Sequence, residues 1–146
     1  MTWDKEVKKI KEREKLSLAQ GGSESVKFQH EKGRKTLRER IDIILDNNSF
    51  DEVGKIAGSP EYHEDGELKH FTPSNFLLGF GKINDRSVVI GGEDFTLKGG
   101  SPNPSGLRKS IYTEELALKY RIPLIRLHEG GGGSVTGSGG TAKKPT

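Results

Sequence analysis

The 146 residues include no cysteine, which removes disulfide frameworks and thiolate metal sites from consideration. The four histidines, His30, His63, His70 and His128, are scattered, with no helical pair at metal-ligand spacing, so no metal is expected. No stretch approaches the ~18 apolar residues of a membrane span. The opening MTWDKEVKKIKEREK carries charges of both signs. It lacks the apolar centre of a secretory signal and the acid-poor character of a transit peptide. A cytoplasmic protein is the expectation; a processed protein of the mitochondrial matrix stays open as the alternative. Aromatic residues make up 7% of the chain, and the most basic stretch holds only Phe28. That leaves little for base stacking and places nucleic acid last among partners. With 30% hydrophobic residues and 20 glycines, the chain suffices for one domain with a modest core.

Charge is unevenly placed. Residues 1–40 hold 12 Lys/Arg and 7 Asp/Glu, and the remainder 12 and 14. The basic stretch VKFQHEKGRKTLRER concentrates Lys27, Lys32, Arg34, Lys35, Arg38 and Arg40 against Glu31 and Glu39. It reads either as a solvated helix surface or as an anion site suited to phosphate.

Periodicity predicts a helix over 3–20, with Trp3, Val7 and Ile10 as a narrow apolar stripe. Gly21-Gly22 ends it, and a short helix over 23–31 stops at Gly33. Thr36-Leu37-Arg38-Glu39 has the form of a capping box that launches a helix through Ile41, Ile44 and Leu45. A strand is expected over 50–57, followed by a polar surface loop through SPEYHEDGELKHFTPS. Strands at Asn75–Ile83 and Ser87–Ile90, the latter continuing through Asp94-Phe95-Thr96, flank the hairpin turn Asn84-Asp85-Arg86. KGGSPNPSG reads as a loop. GLRKSIYTEELALKYR reads as a helix whose apolar positions are Leu107, Ile111, Leu116, Leu118 and Tyr120. Pro123–Leu127 reads as a buried strand. The strand–helix–strand order over 87–127 fits a parallel crossover.

Glycine crowds the region after that last strand, in HEGGGGSVTGSGG. A Gly/Ser-rich run is often a linker. After a strand of an α/β fold it can instead bring backbone N–H groups onto an anion or a developing oxyanion. Three motifs, in order, place the chain in a wider context: KGRKTLRERIDIILDNNSFDEVG at 32–54, DFTLKGGS at 94–101, and PLIRL leading into HEGGGGSV at 123–135. Together, and with the opening ERE…LAQGG, they resemble the carboxyltransferase (beta) subunits of biotin-dependent acyl-CoA carboxylases of the propionyl-CoA and methylcrotonyl-CoA type. That family's third motif commonly reads Asp-Ser-Gly-Gly-Ala-Arg. Here His128-Glu129-Gly130-Gly131 stands in its place, so the glycine pair is kept and its flanks differ.

The resemblance implies an α/β crotonase-like (ClpP/crotonase) ββα-spiral fold preceded by N-terminal helices. Residues 1–49 would be a basic helical segment and 50–146 the first part of an acyl-CoA-binding domain, incomplete at its end. It implies transfer of a carboxyl group from carboxybiotin to the α-carbon of an acyl-CoA through an oxyanion-stabilised enolate. Gly130 and Gly131 match the glycine pair whose backbone N–H groups form the thioester oxyanion hole. Lys98, Gly99, Gly100 and Ser101 match a loop lining the CoA site, and Arg34, Lys35 and Arg38 are candidates for the CoA phosphates. Biotin would come on another polypeptide, because the chain holds no Ala-Met-Lys-Met attachment motif. A biotin carboxylase or carrier subunit and further copies of the chain are the implied partners. Alone, a chain that stops within the fold is expected to be inactive and marginally stable. The alternatives are a non-catalytic fragment or subunit-interaction module, and a crotonase-like hydratase or decarboxylase with Glu129 as its base.

Overall fold

The computed structural model describes residues 2–101 and 103–129. Three helices come first: α1 (Asp4–Leu18), α2 (Ser23–Glu31) and α3 (Leu37–Ile44). Strands β1 (Asp51–Glu52), β2 (Gly58–Tyr62), β3 (Leu68–Pro73), β4 (Phe76–Ile83) and β5 (Arg86–Glu93) follow. The chain then runs through a tight turn at Lys98–Gly100 to helix α4 (Pro104–Tyr120) and strand β6 (Leu124–Leu127).

Local chemistry accounts for the helix ends. Thr36 caps α3 by accepting from the Glu39 backbone N–H, and Glu39 returns the bond to the Thr36 N–H at 2.7 Å. These two bonds satisfy donors that a helix start otherwise leaves open. The Glu39 carboxylate is thereby held below its usual pKa, first by the Thr36 N–H and then by His30 at 2.8 Å. At the end of α2, Gly33 takes φ +69°, the Gly33 N–H donates to His30 and the Arg34 N–H reaches back to Gln29. This is a Schellman closure, and it turns Arg34 back alongside α2. Asn103 caps α4 by accepting from Gly106 N–H at 2.7 Å, with Pro104 at the first helical position.

The main sheet has the order β1-β4-β5-β6. β4 and β5 form an antiparallel hairpin whose turn residues Asn84 and Asp85 have φ of 48° and 63°, the signs a type I′ turn requires. Asp46 fixes that turn by accepting from both backbone N–H groups at 2.9 and 2.8 Å. β5 and β6 pair in parallel, with Val89 opposite Leu124 and Gly92 opposite Leu127; α4 makes the crossover between them. Both faces of the sheet are covered, so β4 is apolar without alternation. On one face Leu37, Ile41 and Leu45 of α3 and its end pack on Leu77, Val88 and Ile90. On the other, Leu116 and Ala117 of α4 pack on Phe76, Leu78 and Val89.

Four sequence expectations are corrected. The strand at 50–57 is reduced to Asp51–Glu52, because the chain turns at once through Gly54, at φ +66°. The polar stretch read as a surface loop is instead the antiparallel hairpin β2–β3. Its side chains are mostly exposed, with Phe71 and Pro73 at the end of β3 buried, so no period-2 burial signal runs along its length. β5 extends to Glu93 but does not continue through Asp94–Thr96, because Asp94 folds back onto Thr96. Finally, α4 buries Gly106, Lys109, Thr113, Leu116 and Ala117, whereas Leu107, Ile111, Leu118 and Tyr120 face outward. Leu118 is 81% exposed. The inward face is small and polar because the helix lies close to the sheet: a Cβ on Gly106 would sit 2.3 Å from Asn75 Oδ1. The α1 stripe of Trp3, Val7 and Ile10 is likewise exposed.

The corner between α1 and α2 meets the end of β5 in a close approach. Gly21, between α1 and α2, donates its N–H to Thr96 Oγ1 at 2.9 Å. A Cβ there would stand 1.9 Å from the Thr96 carbonyl oxygen. Gly21→Ala must push α1 and α2 away from the end of β5, so it is expected to cost about 1–3 kcal/mol as an overpacking change, read as a fall in the urea unfolding midpoint.

Candidate functional site

Strands β5 and β6 run in parallel, so their carboxyl ends lie side by side. That edge is where open α/β sheets carry ligands. The motif DFTLKGGS leaves from one strand end, and His128-Glu129 leaves from the next. The KGRKTLRER stretch arrives through Arg34, whose guanidinium lies 3.8 Å from the Glu129 carboxylate. Three stretches far apart in sequence therefore meet at one edge of the sheet.

Asp94 organises the first of them. It is 1% exposed, and its Oδ1 accepts from the Thr96 N–H at 2.9 Å and the Thr96 hydroxyl at 2.6 Å. Burial raises its pKa, while the two Thr96 bonds and the charge of Arg38 act in the opposite sense. The chain then reaches three consecutive left-handed residues, Lys98, Gly99 and Gly100, at φ 49°, 58° and 72°. Gly100 is buried, with no room for a Cβ beside the Phe95 ring. The Ser101 carbonyl accepts from the Asn75 side-chain amide. Gly99 and Gly100 take this path without strain, while Lys98 takes a left-handed φ uncommon for a side-chain-bearing residue and is exposed at the rim.

Between this turn and α2 lies a cleft of about 610 Å³. Phe28, Lys32 and Arg34 line one side, and Thr96, Lys98 and Gly99 the other. The Lys32 ammonium stands 4.1 Å from the centre of the Phe28 ring. Three cations against the single carboxylate of Glu24 make it an electropositive recess, suited to phosphate oxygens. A cavity of similar size between α1 and the β2–β3 hairpin is lined by Lys9, Arg13 and Lys15 against Glu12 and Glu67, with Lys9 on Glu67 at 3.0 Å and Arg13 on the Tyr62 hydroxyl at 2.7 Å, so its charges are more nearly balanced. It does not adjoin the strand ends.

The sequence candidates separate accordingly. Arg34, Lys98 and Gly99 share the cleft; Gly100 and Ser101 support it from behind. Lys35 is exposed and does not line it. Arg38 points elsewhere: its guanidinium grips Glu52 through two bonds of 2.8 and 3.2 Å, with the two side chains 17% and 5% exposed. Gly130 and Gly131 lie outside the described residues. His128 and Glu129, which precede them, are held by partners: His128 lies 3.4 Å from Glu93, and Glu129 bridges Arg34 and Arg40. Among the described residues no group of His, Asp and Glu forms a metal site, and no helix is long and apolar enough to cross a membrane.

Sequence reasoning missed Lys32 and Phe28 as cleft residues, although both lie in the basic stretch. It also missed Lys109. This lysine is buried on α4, donates to the Gly54 carbonyl at 3.3 Å and feels the charges of Glu52 and Arg38. The signal was available in its position, three residues after the buried Gly106 and four before Thr113, on the face turned to the sheet.

The mixed α/β architecture, with N-terminal helices and β5 and β6 in parallel, is of the crotonase-like fold class. The chain belongs to the carboxyl transferase domain family, which is matched over residues 28–143. The chain is 33% identical over 138 residues to the methylmalonyl-CoA carboxyltransferase 12S subunit of Propionibacterium freudenreichii subsp. shermanii, with 92% of this chain and 26% of that protein aligned. It is 34% identical over 119 residues to the mitochondrial methylcrotonoyl-CoA carboxylase beta chain of Arabidopsis thaliana, covering 81% of this chain and 19% of that protein. Methylmalonyl-CoA decarboxylase subunit alpha of Veillonella parvula is 31% identical over 117 residues, 80% of this chain and 23% of that protein. The structure of transcarboxylase 12S, a hexamer with methylmalonyl-coenzyme A and methylmalonic acid bound, superposes with a TM-score of 0.77 at 32% identity. It covers 92% of this chain and 26% of that one. The chain thus spans about a quarter of the length of the relatives it matches.

Lys109 gives a pH test of the interior. Burial holds its ammonium down to a pKa of about 8, against an ordinary 10.5, with the Glu52 charge opposing and the Arg38 charge adding to the shift. Between these values the unfolded chain keeps the proton that the native chain has lost, so Lys109 makes stability rise with pH across that window and costs stability below it. Lys109→Met is expected to flatten that rise and to unfold at higher urea than the parent at pH 7, both read from denaturation curves at pH 7 and 10.

Proposed function

We propose that this chain forms the acyl-CoA-binding part of a carboxyltransferase that moves a carboxyl group onto, or off, the α-carbon of an acyl-CoA. The observation that carries the reading is the meeting of three motifs at the carboxyl edge of β5 and β6, in a fold shared with a transcarboxylase that holds methylmalonyl-coenzyme A. Arg34, Lys98 and Lys32 present cations to the 3′-phosphate and pyrophosphate of CoA. Such charge-assisted bonds are worth about 1.5–3 kcal/mol each. Phe28, beside Lys32 on the cleft wall, offers an apolar face to the nucleoside. Arg38, committed to Glu52, serves to fix α3 to β1, and Lys35 is left to the solvent-exposed rim.

In this reading the backbone N–H groups of Gly130 and Gly131, separated in sequence from the end of β6 by His128 and Glu129, serve as donors to the thioester oxygen as it gains charge. Removing one donor of such a pair typically costs roughly 10²–10³ in turnover. Biotin, brought by a separate carrier polypeptide, supplies the carboxyl group and the base when bound; none of the described residues is assigned to it. The chain's own work is to seat the CoA, align the α-carbon and stabilise the enolate oxygen. Glu129 is a poor general base here, because two arginines hold its carboxylate. The similarity to a methylmalonyl-CoA decarboxylase subunit supports the reverse reaction, loss of the carboxyl group, as a second reading of the same site.

Two measurements test this. Replacing Arg34 and Lys98 together by Gln is expected to weaken CoA binding by about 10²–10⁴-fold in titration calorimetry, equally for propionyl-, methylcrotonyl- and acetyl-CoA. Unchanged affinity would remove the cleft from the account. Gly131→Pro deletes one N–H and is expected to lower kcat of the complete enzyme by about 10²–10³ with little change in CoA affinity; undiminished turnover contradicts the donor role.

A further inference from the structure

Arg34 occupies two environments at once. It lines the phosphate cleft between α2 and the Lys98–Gly100 turn, and its guanidinium also lies 3.8 Å from Glu129 Oε1. The other carboxylate oxygen, Oε2, accepts from Arg40 at 3.3 Å. Glu129 is the residue immediately before the glycine run, at the end of β6. Its side chain is 26% exposed, while that of Arg34 is 54% exposed. The cation therefore has the freedom to move, and the carboxylate has less.

We infer that Glu129 is a positioning residue that competes with a bound phosphate for Arg34 and so sets how tightly the cleft takes its ligand. The inference rests on the cleft being the phosphate site. When the cleft is empty, Glu129 is shared between Arg34 and Arg40. An incoming phosphate draws Arg34 to itself and leaves Glu129 on Arg40 alone. Arg40 is 29% exposed, on α3 beside the buried residues Leu37 and Ile41, so the strand end stays tied to α3 in both states. Occupancy of the cleft thus changes the charge balance at the residue that leads into the glycines, and by linkage Glu129 lowers the affinity of the cleft. A partly exposed ion pair is worth little in water, so the competition is modest in size and acts as a tuning device.

Inorganic pyrophosphate is the probe, titrated calorimetrically into the full chain and its variants. Arg34→Gln is expected to weaken binding. Glu129→Gln is expected to tighten it by about two- to fivefold, the range an ion pair of this exposure allows. Glu129→Asp, which keeps the charge but shortens the reach, is expected to tighten it as well. In the Arg34→Gln background both changes at Glu129 should have no effect, because the residue they compete for is gone. Equal tightening in both backgrounds would show plain charge repulsion and overturn the inference, as would an unchanged or weaker affinity for both Glu129 variants. Failure of Arg34→Gln to weaken pyrophosphate binding, or no binding by the parent chain, overturns the phosphate reading and this inference together. Loss of the Glu129 effect alone, with Arg34→Gln still weakening, overturns only the competition.

Discussion

The hydroxyl of Thr96 holds two parts of this molecule together. It donates to the buried Asp94 carboxylate at 2.6 Å and accepts the Gly21 N–H at 2.9 Å. Through the first bond it ends β5 and turns the chain toward the left-handed Lys98–Gly100 segment. Through the second it clamps the corner between α1 and α2 against that turn. The cleft between Phe28, Lys32 and Arg34 on one side and Lys98 on the other exists because of this clamp. A buried carboxylate is costly without partners, and the two Thr96 bonds offset part of that cost. The close approach also requires that residue 21 carry no side chain.

A second polar seam runs round the β1 edge of the sheet. Arg38, Glu52 and Lys109 bring three ionisable side chains close to the sheet's apolar clusters. The Arg38–Glu52 pair is two-pronged and largely desolvated, so removal of either partner leaves a charge without compensation, a larger loss than the pair itself is worth. Lys109 has only the Gly54 carbonyl and the field of Glu52, and its ammonium is the least settled of the three. The Arg38–Glu52 pair joins α3 to β1, and Lys109 joins α4 to the Gly54 carbonyl just after β1. The outer face of α4 leaves Leu107, Ile111 and Leu118 in the open.

Much of this was legible in the residues. The capping box at Thr36 and Glu39, the turn at Asn84-Asp85 and the crossover to β6 each have a local cause that acts within a few residues, and each is where the sequence put it. The β2–β3 hairpin was not legible, because its strands bury little and its polar side chains read as loop. The inward face of α4 was misread for a related reason. Apolar periodicity assumes that burial follows hydrophobicity, but there close packing selects Gly106 and Thr113, and a charge network selects Lys109. At the candidate site, the motifs do not reveal the side-chain partners. Arg34 and Arg38 look alike in KGRKTLRER. One faces the cleft, and the other faces Glu52, a pairing across 14 residues that no spacing rule reveals. The glycine pair at 130 and 131 rests on family resemblance alone and lies outside the described residues.

The account stands or falls on where CoA sits. A crystal structure of the complete enzyme with CoA bound measures this directly. The account predicts phosphate oxygens within about 3.2 Å, hydrogen-bond distance, of the Arg34 guanidinium and the Lys98 ammonium. It also predicts the thioester end running toward the residues after Glu129. CoA found in the cavity between α1 and the β2–β3 hairpin, or with its phosphates away from both cations, would contradict it.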